Sequence, residues 1–399
     1  MSTSNDVRAP APTDFDHNSS ALTESTLWAA YERLLAVGHA SLSDAHGGFL
    51  TVSRFPDVKT VLRDPDTFAS GYGHRIPVIG TPRAMPIDYD PPIHTDYRAM
   101  MASALTPARI NALSPFVRQL ISELVSDFHA AGGGDAVTAV ALPLPLRVLT
   151  QLVGFSHETV SQLRDLTEAM WRHVNDMDYD EARRDLRAVV DAEIKRHREY
   201  RLDDYLTGLL GAEVDGRPVT DDEAARALIT LAIAGHETTM NAAASLLWLL
   251  AEQPELQTAL RADRELAPKY VEEMLRLRTP AQNFARQATK DTEIGEVPVP
   301  EGSRVLLCYA AANRDPEQFP NPEQFDASRA GRGHFAFGWG IHQCIGAGLA
   351  RVELKILLET LCEYPLLELA SQPQFGHLDG GIHFGPTELM LRFATEEHS

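Results

Sequence analysis

Phe337-Gly338-Trp339-Gly340-Ile341-His342-Gln343-Cys344-Ile345-Gly346 is the stretch on which the reading of this 399-residue chain turns. Gly338, Gly340 and Gly346 bring small size and free backbone dihedrals where main chain must approach something flat and bulky. Beyond the loop, Ile345, Leu349, Val352 and Ile356 recur at spacings of four, three and four, the stripe of a helix running to Leu361. The loop therefore delivers one cysteine to the first turn of a helix. A sulfur there faces unpaired N–H groups and the positive end of the helix dipole, which stabilise a thiolate.

A thiolate in such a loop suits haem iron, onto which it pushes electron density in a way that favours O–O cleavage. A buried free cysteine after a turn is the bland alternative, and the whole pattern Phe-Gly-x-Gly-x-His-x-Cys-x-Gly argues against it. The segment resembles the signature loop of the cytochrome P450 family, the haem-thiolate monooxygenases. The resemblance implies haem b as cofactor, Cys344 as the ligand of its iron, Gly346 beside it, and dioxygen as co-substrate. Trp339 departs from the family pattern, which more usually has a histidine or a small residue between the two glycines.

Bulk composition is that of a globular protein, with 44% apolar and 23% charged residues. The formal charge of −20 disfavours nucleic acid and anionic membrane surfaces as partners. Cys308, Cys344 and Cys362 are far apart and lack zinc-type spacing, so a reducing compartment is expected rather than a disulfide framework. Met1 to Ser20 has no basic region followed by an apolar core and reads as a frayed tail, neither signal peptide nor membrane anchor. A cytoplasmic protein follows, with a disordered tail over residues 1–20 and one large domain over 21–399.

Along that domain, Gly48–Val52 alternates like a strand, and Ala288–Leu307 is rich in strand and turn signals. Helical patterns cover Pro107–His129, Ser156–Asn175, Glu181–Arg201, Asp221–Glu252 and Pro268–Arg278. The fold class is mainly α with a small β region. The family's fold has this mixture, with a long central helix over the haem, and the resemblance spans roughly Leu27 to Phe393.

The segment Asp221–Glu252 reads as one helix of about 45 Å, started by a capping box at Thr220 and Glu223. Its middle is apolar on all sides, which predicts full burial. A membrane span fails as an alternative because His236, Glu237, Thr238 and Thr239 interrupt the run at its centre. A carboxylate midway along a buried helix is costly unless chemistry needs it. Ala234-Gly235-His236-Glu237-Thr238-Thr239 resembles the family's oxygen-activation motif. By that resemblance Gly235 loosens the helix, Thr238 hydrogen-bonds the bound oxygen, and Glu237 feeds protons to it.

Further matches lie around these two. Glu273 and Arg276, three apart on one helix face, resemble the family's Glu-x-x-Arg pair, with Arg329 as third member of a buried structural cluster. Haem propionates want cationic or hydrogen-bonding partners. His94 with Arg98 four residues on, Arg286 and His342 match the family's propionate contacts, and His334 either joins them or braces the loop. Pocket walls are expected at Phe68–Ile87, Trp171–Met177, Ile229–Thr238, Ala281–Phe284 and Gly381–Pro386. Ile233, Ala234 and Phe284 are expected in its lining, with Gln282, Asn283 and His383 as polar anchors.

The activity the resemblance implies is monooxygenation, by hydroxylation, O-demethylation or addition to a double bond, of a small to medium apolar molecule. No flavin or iron–sulfur module is evident, so ferredoxin-type or flavin redox partner proteins are expected. The alternative is a non-oxygenating haem sensor or a peroxide-using relative, which would not need the Glu237–Thr238 pair.

Overall fold

The computed structural model describes residues 10–395 except 79–82, 157, 160, 161, 164, 167–178, 201, 203 and 379. The organising element is the helix Asp221–Glu252, which has the expected bounds. The Thr220 hydroxyl accepts from the Glu223 N–H at 3.2 Å and the Glu223 carboxylate from the Thr220 N–H at 2.9 Å. That reciprocal cap satisfies two of the N–H groups every helix start leaves unpaired. Arg217 locks the same carboxylate with two bonds of 2.9 and 2.7 Å. With Tyr97 donating as well, Glu223 is held well below the usual carboxylate range.

Against this axis pack Pro143–Val153, Tyr179–Tyr200, Ala267–Leu277 and Ala347–Leu361, and Pro107–Ala130 packs in turn on Pro143–Val153 and Ala347–Leu361. Residues 241–251 of the central helix are buried throughout, whereas 229, 230, 233, 234, 235 and 238 are only partly covered. Burial on all sides is therefore not what the first half shows. Its partly covered face, at helical spacing, walls a cavity.

A six-stranded sheet flanks the helices. In spatial order it runs Ala11–Thr13, Ser41–Ser43, Phe49–Val52, Arg304–Cys308, Asn283–Ala288, Phe68–Ala69. Late strands thus pair with early ones, Val305 opposite both Leu50 and Arg286. The frayed tail expected over residues 1–20 does not hold for its described part, residues 10–20. Ala11–Thr13 is an edge strand parallel to Ser41–Ser43, and Phe15 and His17 are buried, because the sheet edge offers backbone partners and a wall to pack on. Among the described residues no helix is long and apolar enough to cross a membrane. The helix expected over Ser156–Asn175, and the wall over Trp171–Met177, fall wholly or largely outside the described residues.

Candidate active site

Cys344 sits on the wall of a cavity of about 420 Å³, and Ala234, Gly235 and Thr238 of the central helix line the same cavity. The helix after the cysteine starts later than its stripe suggests, at Ala347, so Cys344 precedes it rather than lying in its first turn. Its N–H donates to the Phe337 carbonyl at 2.8 Å, which closes the loop. Gly338 and Gly340 have φ of 64° and 71°. A Cβ on Gly340 would meet the Leu62 carbonyl oxygen at 2.3 Å, so only glycine fits there. Cys344 is open to the cavity but enclosed by the protein around it, which pushes its thiol up, and the N–H groups of Gly346 and Ala347 and the charge of Arg98 oppose the shift. These are the helix-terminal donors that the sequence predicts. Trp339 turns away from the cavity, half-buried, with the Lys59 ammonium 4.9 Å from its ring centre.

Beside the cysteine, His94 and His342 meet with ring centroids 4.4 Å apart. Each leaves Nε2 buried without a hydrogen-bond partner among the described residues. Burial, then the charges of Arg286, His94 and Arg98, push His342 down to about 2. Burial and Arg98 lower His94 as well. Arg98 and Arg286 both line the cavity, and Arg98 donates to the Gln343 carbonyl at 2.6 Å, one residue before the cysteine. Two guanidiniums beside two imidazoles whose protonation burial and those charges oppose make a corner of positive potential with unpartnered ring nitrogens. The chemistry it lacks is an anion, and the carboxylates of a haem fit it.

On the central helix the expected loosening at Gly235 is absent, and the helix is unbroken through this turn. The Thr238 hydroxyl donates to the Ala234 carbonyl at 2.8 Å, one turn back, so it engages the helix without opening it. Glu237 is buried off the cavity, with a carboxylate oxygen 3.4 Å from His383 Nδ1. His383 does line the cavity, and burial holds it well below its ordinary value, hence neutral.

Glu273, Arg276 and Arg329 come together away from the cavity. Arg276 grips Glu273 through two bonds of 2.8 and 2.7 Å and spends its remaining donors on the carbonyls of Asn313, Pro322 and Gln324. Arg329 donates to the same carboxylate at 3.4 Å, and the Asp326 N–H donates to it at 3.0 Å.

Three predicted residues stand elsewhere. His334 is outside the lining. Its Nδ1 accepts from the Ala336 N–H at 3.1 Å and its Nε2 lies 3.3 Å from Glu272, so it braces the loop. Burial would raise Glu272, yet Arg351 and His334 bring it down to about 2. Gln282 and Asn283 are buried against Tyr31: its hydroxyl donates to Gln282 Oε1 at 2.8 Å and accepts from Asn283 Nδ2 at 3.2 Å. Strand alternation explains the split, since Phe284 and Arg286 take the cavity face of Asn283–Ala288 and Asn283 takes the other. Two lining groups escaped the sequence reading. His74, with Nδ1 2.7 Å from Asp88, lies inside a predicted wall, but nothing singled it out. Glu353 stands four residues after Leu349, next to the apolar stripe, and burial raises it to about 8. A charge at that place on the stripe was a legible signal.

A family model described as cytochrome P450 matches residues 146–375. Nocardicin C N-oxygenase of Nocardia uniformis subsp. tsuyamanensis is 35% identical over 351 residues, 85% of this chain and 88% of that protein. Cytochrome P450 107B1 of Saccharopolyspora erythraea is 32% identical over 338 residues, 81% and 83% of the two chains. The crystal structure of CYP108D1 from Novosphingobium aromaticivorans is similar with a TM-score of 0.87 at 29% identity, covering 96% of this chain and 99% of that one.

Proposed function

The chain belongs to the cytochrome P450 family, as a bacterial-type monooxygenase, and from that premise we propose that it oxygenates a small to medium apolar molecule at a C–H or double bond. Electrons come from separate ferredoxin-type or flavin proteins, and the sparse cysteines suit work in the reducing cytoplasm. The observation that carries the proposal is that Cys344 and Thr238, on different elements, line one cavity with an unsatisfied cationic corner beside the cysteine.

Haem b, when bound, supplies the iron that binds and splits dioxygen, with Cys344 as its thiolate ligand. His94, Arg98, Arg286 and His342 hold its carboxylates, and Gly346 keeps the main chain close to the sulfur. Thr238 turns its hydroxyl from the Ala234 carbonyl toward the cavity and holds a proton there. Glu237 and neutral His383 link the buried side of the helix to the cavity wall and pass protons along it. Ile229, Ile233, Ala234 and Phe284 exclude water and take the apolar body of the substrate, while His383 and His74 orient its polar end. Glu273, Arg276 and Arg329 hold the loop on which the cysteine is carried.

An optical spin-state titration of the ferric protein against small aromatics, terpenoids, fatty acids and macrolides tests the binding, followed by turnover with surrogate redox partners. Thr238→Ala is expected to keep haem and the spin shift while diverting electrons to peroxide. Unchanged coupling in that variant removes Thr238 from its role. Substrate binding with no oxygenated product under any donor would favour the sensor reading instead.

A further inference from the structure

Asp16, His17 and His46 take no part in the oxygenation chemistry, yet one donor atom from each falls within 4.8 Å of the others. The Asp16 carboxylate is 2.8 Å from His46 Nε2. The two imidazoles meet edge to face with centroids 5.7 Å apart. The Asn18 amide nitrogen stands 3.3 Å from the Nε2 atom of each ring. An ordinary aspartate–histidine pair accounts for Asp16 and His46 alone. It leaves His17, only 2% exposed and bonded to the Ile76 backbone, with its Nδ1 buried and without a partner among the described residues, as is the Asn18 Oδ1. Orphaned polar atoms at one carboxylate–bis-imidazole cluster are out of place in a finished interior.

We propose that Asp16, His17 and His46 bind one divalent transition-metal ion, of which zinc is the probe. Imidazole nitrogen with a carboxylate oxygen is the donor set such ions prefer over magnesium or calcium. Zinc holds these ligands at roughly 2.0–2.2 Å, which puts neighbouring donors about 3.4 Å apart in a tetrahedron. Asp16 and His46 are already inside that spacing, all three donors lie within 4.8 Å of one another, and His46, the exposed member, is free to rotate and close the rest. The fourth position falls to water, because the Asn18 atom that faces the rings is its amide N–H, already donating to the Ile76 carbonyl.

The ion ties together segments that matter to the cavity. Asn18 donates to the Ile76 carbonyl at 2.7 Å, and Arg75 next to it lines the cavity. A Cβ on Gly381 would come within 2.3 Å of the His17 ring, so the loop carrying Ile382 and His383 presses directly on this ligand. Metal binding therefore stiffens two loops of the cavity wall from outside it.

The test is zinc titration of the haem-loaded full chain against a competing chromophoric chelator, with thermal unfolding alongside. One zinc per chain and a raised unfolding midpoint are expected. His46→Ala and Asp16→Asn, both on accessible side chains, should weaken zinc on the order of 10–100-fold. The reduced carbon-monoxide spectrum should stay as in the parent, which separates loss of this site from failure of the haem reading. Undiminished zinc binding in both variants, or no stoichiometric binding to the parent, overturns the proposal.

Discussion

Two buried polar clusters flank the cysteine loop, and they differ in whether the polypeptide alone completes them. In the first, Glu273, Arg276 and Arg329 satisfy one another and consume the nearby carbonyls. In the second, His94 and His342 face Arg98 and Arg286 with donors left over. A buried ion pair repays its desolvation only when every charge is matched and hydrogen-bonded. The first cluster meets that condition and is structural. The second meets it only when an anion arrives, so it is a binding site. Glu353 shows a third outcome, a buried acid with no counter-charge among the described residues, whose burial favours the protonated form.

The contrast can be broken most forcefully at Arg276. Arg276→Ala leaves the buried Glu273 charge with only the longer Arg329 contact and one N–H, at a cost approaching about 3–5 kcal/mol. Little folded, haem-loaded protein is expected, read by thermal unfolding and the Soret band; a stable variant would mean that the cluster is not the finished ion pair described.

Glu353 sharpens the contrast through pH. Its folded value of about 8 lies above the ordinary 4.5, so the folded state binds the extra proton. Stability is full below about pH 4.5 and declines toward pH 8, by up to roughly 1.4 kcal/mol per pH unit. Glu353→Gln cannot titrate. Its unfolding midpoint should match the parent at about pH 4 and exceed it at pH 8, and parallel pH profiles would contradict the buried neutral acid.

At the unfinished corner, Arg98→Ala should leave the fold intact and accelerate haem loss. One charge-assisted hydrogen bond is worth about 1.5–3 kcal/mol, roughly 10–100-fold, readable as transfer of haem to an acceptor protein. An equal loss of fold stability would make this corner structural like the first. The smallest effect is expected at Asn283, which lies off the cavity. Asn283→Ala should cost about 1 kcal/mol of stability and leave substrate-induced spin shifts as they were. A changed affinity would return Asn283 to the pocket.

Periodic elements were legible because their residues carry the signal locally. The central helix has its predicted ends since Thr220 and Glu223 cap it in sequence. Helices such as Pro143–Val153 and Pro254–Ala262, which the sequence reading left out, are short or capped without a side-chain hydrogen bond and rest on tertiary packing. In the site, the Cys344 loop and the Glu237–Thr238 turn announced themselves as motifs. Asn283 misled because a strand's face is decided by its partner across the sheet, and that partner, Arg304–Cys308, comes much later in the chain; Gln282 precedes the strand and is held off the cavity by Tyr31 and the Thr279 carbonyl.

Local order thus determined a good deal by itself: a helical chain, a cysteine presented by a glycine loop, and an acid and alcohol at the middle of one long helix. Those features depend on backbone dihedrals and on spacing within a few residues. Which side chains face the cavity was decided only in three dimensions. His334 was drawn to Glu272, Glu237 to His383, and His17 to His46 across the chain. Each of those positions is a balance of burial against a distant partner, and no stretch of sequence contains both sides of it.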